Sequence, residues 1–403
     1  MNTLCAKCGA CSTVCPVFRV SGREELSPRG RLHLLGKMSA PPHSATYLRI
    51  VSSCLLCGAC RQACPRDIDL PDLVAEARRN LPRSGGAGSF SRFLVNRCLA
   101  HPTLLSTLAD LLKISAPLLR QLPADSGLRL KLGLLLEPHA DSGNRPLPVP
   151  RSLPAPDGIA IFSGCLARHL LPEIDRATRE LLAGTGHAAP YTPPGQTCCG
   201  LAAYSAGNRR EARRLARSNL DAFGCDNSPI VASCGSCYAH LITYPDLLAD
   251  DSEYHPRALA FVARLREISS FLADSRITTV PVTRTDRPRK LRVFYHDPCH
   301  LRFKSGLREA PRRLLRDRPY LELLELPGGP RCCGLGGTFN LAHPELSQCI
   351  ADELVGKIRD LGPDLVLTSC SGCLLQLHRQ IALIDENIEV KHLADFLNGT
   401  QST

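Results

Sequence analysis

The 403-residue sequence predicts an α+β protein of several domains, with a helical N-terminal domain followed by two duplicated α/β domains. Three observations predict it. A short cysteine run occurs twice between Cys5 and Cys64. A longer cysteine block occurs twice in the C-terminal part of the chain, at nearly constant internal spacing. Around that block, apolar runs of strand length alternate with helical stretches, which is the pattern of a parallel sheet.

The first domain, residues 1–83, carries Cys5-x2-Cys8-x2-Cys11-x3-Cys15-Pro16 and then Cys54-x2-Cys57-x2-Cys60-x3-Cys64-Pro65. Short helices are predicted between and after these loops, at Arg29–Lys37 and Asp72–Asn80. A Gly/Ser break opens a connector over residues 84–156. It holds Leu-rich helical segments at 90–112 and 116–136 and a proline-rich linker from Asn144 to Pro156. Leucines on one face predict packing against a neighbouring domain or a partner.

The first α/β domain spans residues 157–280. A strand at Gly158–Phe162 leads to Cys165, and a helix at Pro172–Ala183 is followed by a strand at Ala188–Tyr191. Then come Cys198–Cys199–Gly200, a helix at Arg209–Phe223, a strand at Pro229–Ala232 and Cys234-x2-Cys237. The second domain, 281–403, repeats this with strands at Leu291–Tyr295, Leu321–Leu326 and Leu365–Thr368. Its cysteines are Cys299, Cys332–Cys333–Gly334 and Cys370-x2-Cys373. The lone cysteine precedes the pair by 33 positions in both copies. Ligands in open parallel sheets gather beyond the carboxyl ends of the strands, so five sulfurs per copy are expected to converge there. The glycine after each pair is expected to make a tight turn. Cys98, Cys225 and Cys349 fall outside these motifs and are expected to be small buried hydrophobes.

The short run has the spacing of iron–sulfur ferredoxins, in which the proline-linked fourth cysteine serves the other cluster. It predicts one [4Fe–4S] cluster on Cys5, Cys8, Cys11 and Cys64 and a second on Cys54, Cys57, Cys60 and Cys15. Structural zinc favours paired ligands over four cysteines in one run. Each long block offers five thiolates, more than a cubane or tetrahedral zinc requires. Adjacent cysteines reach different irons of an open cluster more easily than two corners of one cube. Cys165, Cys198, Cys199, Cys234 and Cys237 are therefore read as one centre, iron–sulfur or zinc with a spare cysteine. Cys299, Cys332, Cys333, Cys370 and Cys373 are read as an open iron–sulfur centre.

Composition narrows the remaining classes. Hydrophobic residues make up 44% and charged residues 22%, so the chain buries real cores. There are 21 cysteines and no tryptophan. The N-terminus lacks an export signal, and no apolar run approaches the roughly 18 residues of a membrane span. The expected compartment is therefore the cytoplasm, where thiols stay reduced and hold metal rather than forming disulfides. The net charge of +11 comes from dispersed residues such as Arg209, Arg210, Arg213, Arg214 and Arg217, or Arg308, Arg312, Arg313 and Arg316. Without aromatic platforms, this pattern is a solvated helix face or a docking surface for an acidic subunit, not a nucleic-acid site. Gly334-x-Gly336–Gly337 has the wrong spacing for a dinucleotide loop. No flavin domain is visible. His240, His296, His300 and His378 lie near cysteine groups and are expected to be polar neighbours. Arg29 and Arg31 are read either as anion-stabilising or as helix-anchoring.

The long blocks resemble the cysteine-rich CCG domains of heterodisulfide reductase catalytic subunits and of iron–sulfur subunits of flavin-linked dehydrogenases. A two-cluster ferredoxin domain stands ahead of them here. With Ser27–Pro28–Arg29–Gly30–Arg31 and Asp297–Pro298–Cys299–His300 added, almost the whole chain resembles the glycolate oxidase (glycolate dehydrogenase) iron–sulfur subunits. The resemblance implies noncubane [4Fe–4S] clusters in CCG domains, with zinc in one domain of some relatives. It also implies an FAD-containing partner that oxidises a 2-hydroxy acid, and electron relay to a quinone or another acceptor. Peripheral association with the inner membrane face stays open. Alternative readings are the subunit of a D-lactate or glycerol-3-phosphate dehydrogenase, and a heterodisulfide reductase-like subunit whose CCG cluster reduces a disulfide. A zinc-bearing scaffold is a third.

Overall fold

The structure, a computed structural model, describes residues 5–37, 44–81, 158–275 and 289–399, apart from positions 187 and 386. The Leu-rich segments, the proline-rich linker and Cys98 lie outside the described residues.

The N-terminal domain is built of short helices: Ala10–Thr13, Pro16–Ser21, Pro28–Lys37, Ala45–Ser52, Ala59–Gln62 and Leu70–Arg79. Its two cysteine runs fold alike. Gly9 and Gly58 enter the left-handed region at φ 80° and 88°, each turning its cysteine loop into a one-turn helix. Pro16 then opens the next helix, whose Phe18 N–H donates to Cys15 Sγ at 3.5 Å. Arg31 is buried and donates to Ile50 O, Ser53 O and Ser53 Oγ, each at 3.0 Å. It thus staples helix Pro28–Lys37 to the end of helix Ala45–Ser52. Arg29 instead lies exposed and pairs with Glu24 at 2.5 Å.

Each duplicated domain forms a four-stranded, wholly parallel sheet. The first has the order β2-β1-β3-β4, with β1 Gly158–Phe162, β2 Ala188–Tyr191, β3 Ile230–Ala232 and β4 Leu265–Glu267. The second has the order β6-β5-β7-β8, with β5 Leu291–His296, β6 Leu321–Leu324, β7 Leu365–Thr368 and β8 Glu389–His392. Pairing with the neighbouring strand sets Phe162 opposite Ala232 and His296 opposite Thr368. The strands β4 and β8 are additions to the sequence reading. They are three and four residues long and too polar to stand out as apolar runs.

Apolar packing joins the parts. One core cluster holds Phe162, Phe223 and Phe261 of the first copy together with Phe294, Leu354 and Val366 of the second. Another joins Leu55 and Cys57 of the N-terminal domain to Cys332, Phe339 and Ile350. Gly336, at φ 57°, lies so close to Leu55 that any side chain there would overlap it. Polar ties at this seam are the Arg19–Glu353 ion pair and Ser52 Oγ with His343 Nε2 at 2.9 Å. On the first copy, Arg78 Nη1 donates to Ser205 O at 2.6 Å.

Three expectations are corrected. Cys225 and Cys349 are exposed, not buried. Cys225 follows Gly224 in a turn, and Cys349 lies on the outer side of helix Pro344–Leu361 while its neighbour Ile350 is buried. Arg312 is not on a solvated face. It is buried and grips Asp297 through two 2.8 Å hydrogen bonds while Nε reaches Glu325 at 2.6 Å. Arg213, Arg214 and Arg217 do lie along the outside of their helix, paired with Asp250, Glu211 and Asp251.

Candidate metal centres

The sheets place sulfur at the carboxyl ends of their strands. Cys165 and Cys299 lie three residues beyond β1 and β5. Cys234 and Cys370 cap the helices Gly235–Leu241 and Ser371–Ala382 just after β3 and β7. The paired cysteines sit in the loop that follows β2 or β6. There Gly200 and Gly334 adopt φ 93° and 86°, and their N–H groups donate to Cys198 Sγ at 3.5 Å and Cys332 Sγ at 3.4 Å. A Cβ on Gly334 would stand 2.7 Å from Ser347 O, so the turn excludes other residues.

Within the first quintet Cys165 meets Cys198, Cys199 meets Cys198 and Cys237, and Cys234 meets Cys237. In the second, Cys299 Sγ lies 3.9 Å from Cys332 Sγ, and Cys333 Sγ lies 3.3 Å from Cys373 Sγ. The quintets also touch each other, with Cys234 Sγ and Cys370 Sγ 3.9 Å apart.

In the N-terminal domain Cys11 interacts with Cys5 and Cys64. Cys15 interacts with Cys54, Cys60 with Cys54 and Cys15, and Cys57 with Cys60 and Cys15. A cavity lined by Cys15, Cys54, Cys57, Cys60 and Arg31 lies among the second set. Cys8 is exposed. The domain faces the second quintet, since Cys57 interacts with both Cys299 and Cys332.

The electrostatics of these sulfurs call for a cation. Burial drives the Cys57 thiol far up, and burial likewise raises Cys60. Contact with Cys199 and Cys234, with burial added, raises Cys237. Some thiols move the other way. Hydrogen bonding with Cys332 and Cys373 brings Cys333 down to about 6, and hydrogen bonding with Cys165 and Cys199 lowers Cys198. A crowded set of buried thiols cannot all ionise on its own, whereas bound metal supplies the charge that turns them into thiolates. An all-sulfur donor set of this kind suits iron–sulfur clusters or zinc. Buried polar atoms near the sulfurs are also left without partners: His240 Nε2, His296 Nε2, His300 Nε2, Thr368 Oγ1 and Ser371 Oγ. Atoms of this kind fit a site that takes a bound group.

A ring nitrogen of His296 and the sulfurs of Cys333 and Cys373 all lie within 4.8 Å of one another, all three residues buried. Sequence reading treated His296 as a polar neighbour. Superposing the two blocks on their lone cysteines would have singled it out, because Phe162 occupies its place in the first copy.

Residues 1–68 match the family described as "4Fe-4S dicluster domain", and residues 159–242 and 293–378 each match the "Cysteine-rich domain" family, CCG. A probable glycolate oxidase iron–sulfur subunit of Bacillus subtilis (strain 168) is 30% identical over 98% of this chain and 92% of its own length. Lactate utilization protein A of Geobacillus kaustophilus is 34% identical over 60% of this chain and 98% of its own. Among solved structures, a hypothetical protein from Helicobacter pylori aligns at a TM-score of 0.53 and 10% identity, over 95% of this chain and 69% of that one; the likeness is one of fold. These matches bear out the fold class and the resemblance read from the sequence. Among the described residues no helix is long and apolar enough to cross a membrane.

Proposed function

The chain belongs to the family of glycolate oxidase iron–sulfur subunits, and from that premise we propose that it is the electron-transfer subunit of a flavin-dependent 2-hydroxy-acid dehydrogenase. An FAD-containing partner would take the hydride from the substrate, and this chain would carry the electrons on to a quinone or another acceptor. A quinone acceptor would bring the complex to the inner face of the membrane, with the chain itself in the cytoplasm. When bound, the clusters supply one-electron redox chemistry, which the protein side chains lack.

In this reading Cys5, Cys8, Cys11 and Cys64 hold one cubane, and Cys15, Cys54, Cys57 and Cys60 hold the other. Cys299, Cys332, Cys333, Cys370 and Cys373 hold the second CCG centre. Cys165, Cys198, Cys199, Cys234 and Cys237 hold the first, with iron–sulfur or zinc. The observation that carries the reading is the unbroken succession of neighbouring cysteines. Cys11 interacts electrostatically with Cys60, and Cys57 with Cys299 and Cys332, and Cys370 Sγ lies 3.9 Å from Cys234 Sγ. A storage or scaffold role needs no such line, whereas transfer of single electrons does.

The test is Cys57→Ser in the complex with its flavoprotein, prepared without oxygen. One cubane signal is expected to vanish from the paramagnetic resonance spectrum. Flavin reduction by substrate should persist, and acceptor reduction should fall at least tenfold. Undiminished delivery of electrons to the acceptor would refute the relay.

A further inference from the structure

The two duplicated domains share a backbone frame and five sulfurs, but they line them differently. Three residues before the lone cysteine stands Phe162 in the first copy and His296 in the second, each the last residue of its strand. Strand register confirms the match and extends it, because Phe162 faces Ala232 where His296 faces Thr368. One residue past Cys234 is Gly235, and one past Cys370 is Ser371. At all three places the first copy is apolar or lacks a side chain, and the second is polar. Each of the three polar side chains buries an atom with no hydrogen-bond partner: His296 Nε2, Thr368 Oγ1 and Ser371 Oγ. Three such atoms gathered beside the same sulfurs fit a bound group that would satisfy them.

We infer that His296 is a nitrogen ligand of the second centre, on the metal position that also takes Cys333 and Cys373, so that this centre is mixed sulfur–nitrogen and the first is sulfur only. His296 is 1% exposed, and its ring nitrogen lies within 4.8 Å of both sulfurs. The hydroxyls of Thr368 and Ser371 remain as hydrogen-bond donors to the same centre. Hydrogen bonds from these hydroxyls to sulfur raise the reduction potential of an iron–sulfur centre, and the imidazole adds a ligand without adding negative charge. The second centre is accordingly the more readily reduced of the pair, and it is the one that faces Cys57.

This assignment rests on the proposal that the second quintet holds iron. The experiment uses the full chain, made without oxygen, once with natural histidine and once with ¹⁵N-histidine, and poised at successive potentials. Pulsed paramagnetic resonance should reveal one signal with a strongly coupled histidine nitrogen that changes with the label. His296→Phe, which installs the residue of the first copy, should abolish that coupling and shift the signal's midpoint. His296→Gln serves the same purpose where the phenylalanine variant does not fold, and the labelled wild type decides the matter without any variant. Iron signals from the second quintet with no histidine coupling, or a coupling that survives both substitutions, would overturn the ligand assignment and leave the relay standing. A second quintet without iron would overturn both.

Discussion

The first duplicated domain surrounds its sulfurs with Phe162, Ala232 and Gly235, and the second surrounds the same five positions with His296, Thr368 and Ser371. The contrast extends to what holds each strand end. After β1, Ser163 donates within its own copy, its N–H to Gln196 Oε1 and its hydroxyl to the Asp175 carboxylate; after β5, the matching Asp297 is locked to Arg312 and Arg302. At the end of the fourth strand the matching pair is Glu267 and His392, set opposite Ala232 and Thr368. Both cap the next helix as acceptors, Glu267 Oε2 from Ser269 N–H at 2.8 Å and His392 Nδ1 from Ala394 N–H at 3.2 Å. What the duplication keeps is geometry: strand ends, left-handed glycines and sulfur positions. What it lets vary is the charge and hydrogen bonding around the sulfurs, and these set the properties of a bound cluster.

The largest difference in stability between the copies is expected at the strand ends. Asp297→Ala leaves the buried Arg312 without its one buried carboxylate partner and should cost about 3 kcal/mol or more. Ser163→Ala, the matching change in the first copy, removes the hydroxyl's hydrogen bond to Asp175 but keeps the backbone bonds to Gln196, and should cost about 1–2 kcal/mol. Denaturant unfolding of the two variants, anaerobic and metal-loaded, measures both. Equal losses would mean that the charged lock of the second copy adds nothing to it.

An effect confined to acid pH separates Glu267 from its partner position. Burial raises the Glu267 carboxyl from 4.5 to about 7, while burial lowers His392 to about 4. Below pH 4.5 Glu267 is protonated whether the chain is folded or not. Between about 4.5 and 7 only the unfolded chain ionises, so its contribution to stability is lost as pH rises through that window and is constant above it. Relative to Glu267→Gln, the wild type should lose on the order of 3 kcal/mol across the window. Parallel stability profiles for the two proteins would contradict a neutral carboxyl at this site.

The sequence carried the long-period information well. Strands β1, β2 and β7 were readable residue for residue, because apolar runs such as Gly-Ile-Ala-Ile-Phe are fenced by turn residues and cysteine loops. Strands β4 and β8 were not, since Leu-Arg-Glu and Glu-Val-Lys-His become strands only by pairing with β3 and β7. The cysteine sets stand in the sequence as spacings. Which sulfurs approach across domains, Cys57 with Cys299 or Cys234 with Cys370, depends on how separate units pack, and no local pattern encodes it. Arg312 looked like one more surface arginine because its partners Asp297 and Glu325 lie on other elements. His296 was visible as a residue, but its meaning emerged only against Phe162.

The central claim, that both duplicated quintets and the N-terminal motifs are built around metal and joined in one redox line, is tested most directly by one measurement. The chain is purified without oxygen, assayed for iron and zinc per chain, and titrated with dithionite under paramagnetic resonance. The account predicts iron for two cubanes and for at least one CCG centre, zinc at no more than one site, and a distinct signal for each iron–sulfur centre. A colourless chain holding only zinc, or one whose reduced form gives no signal, would contradict it.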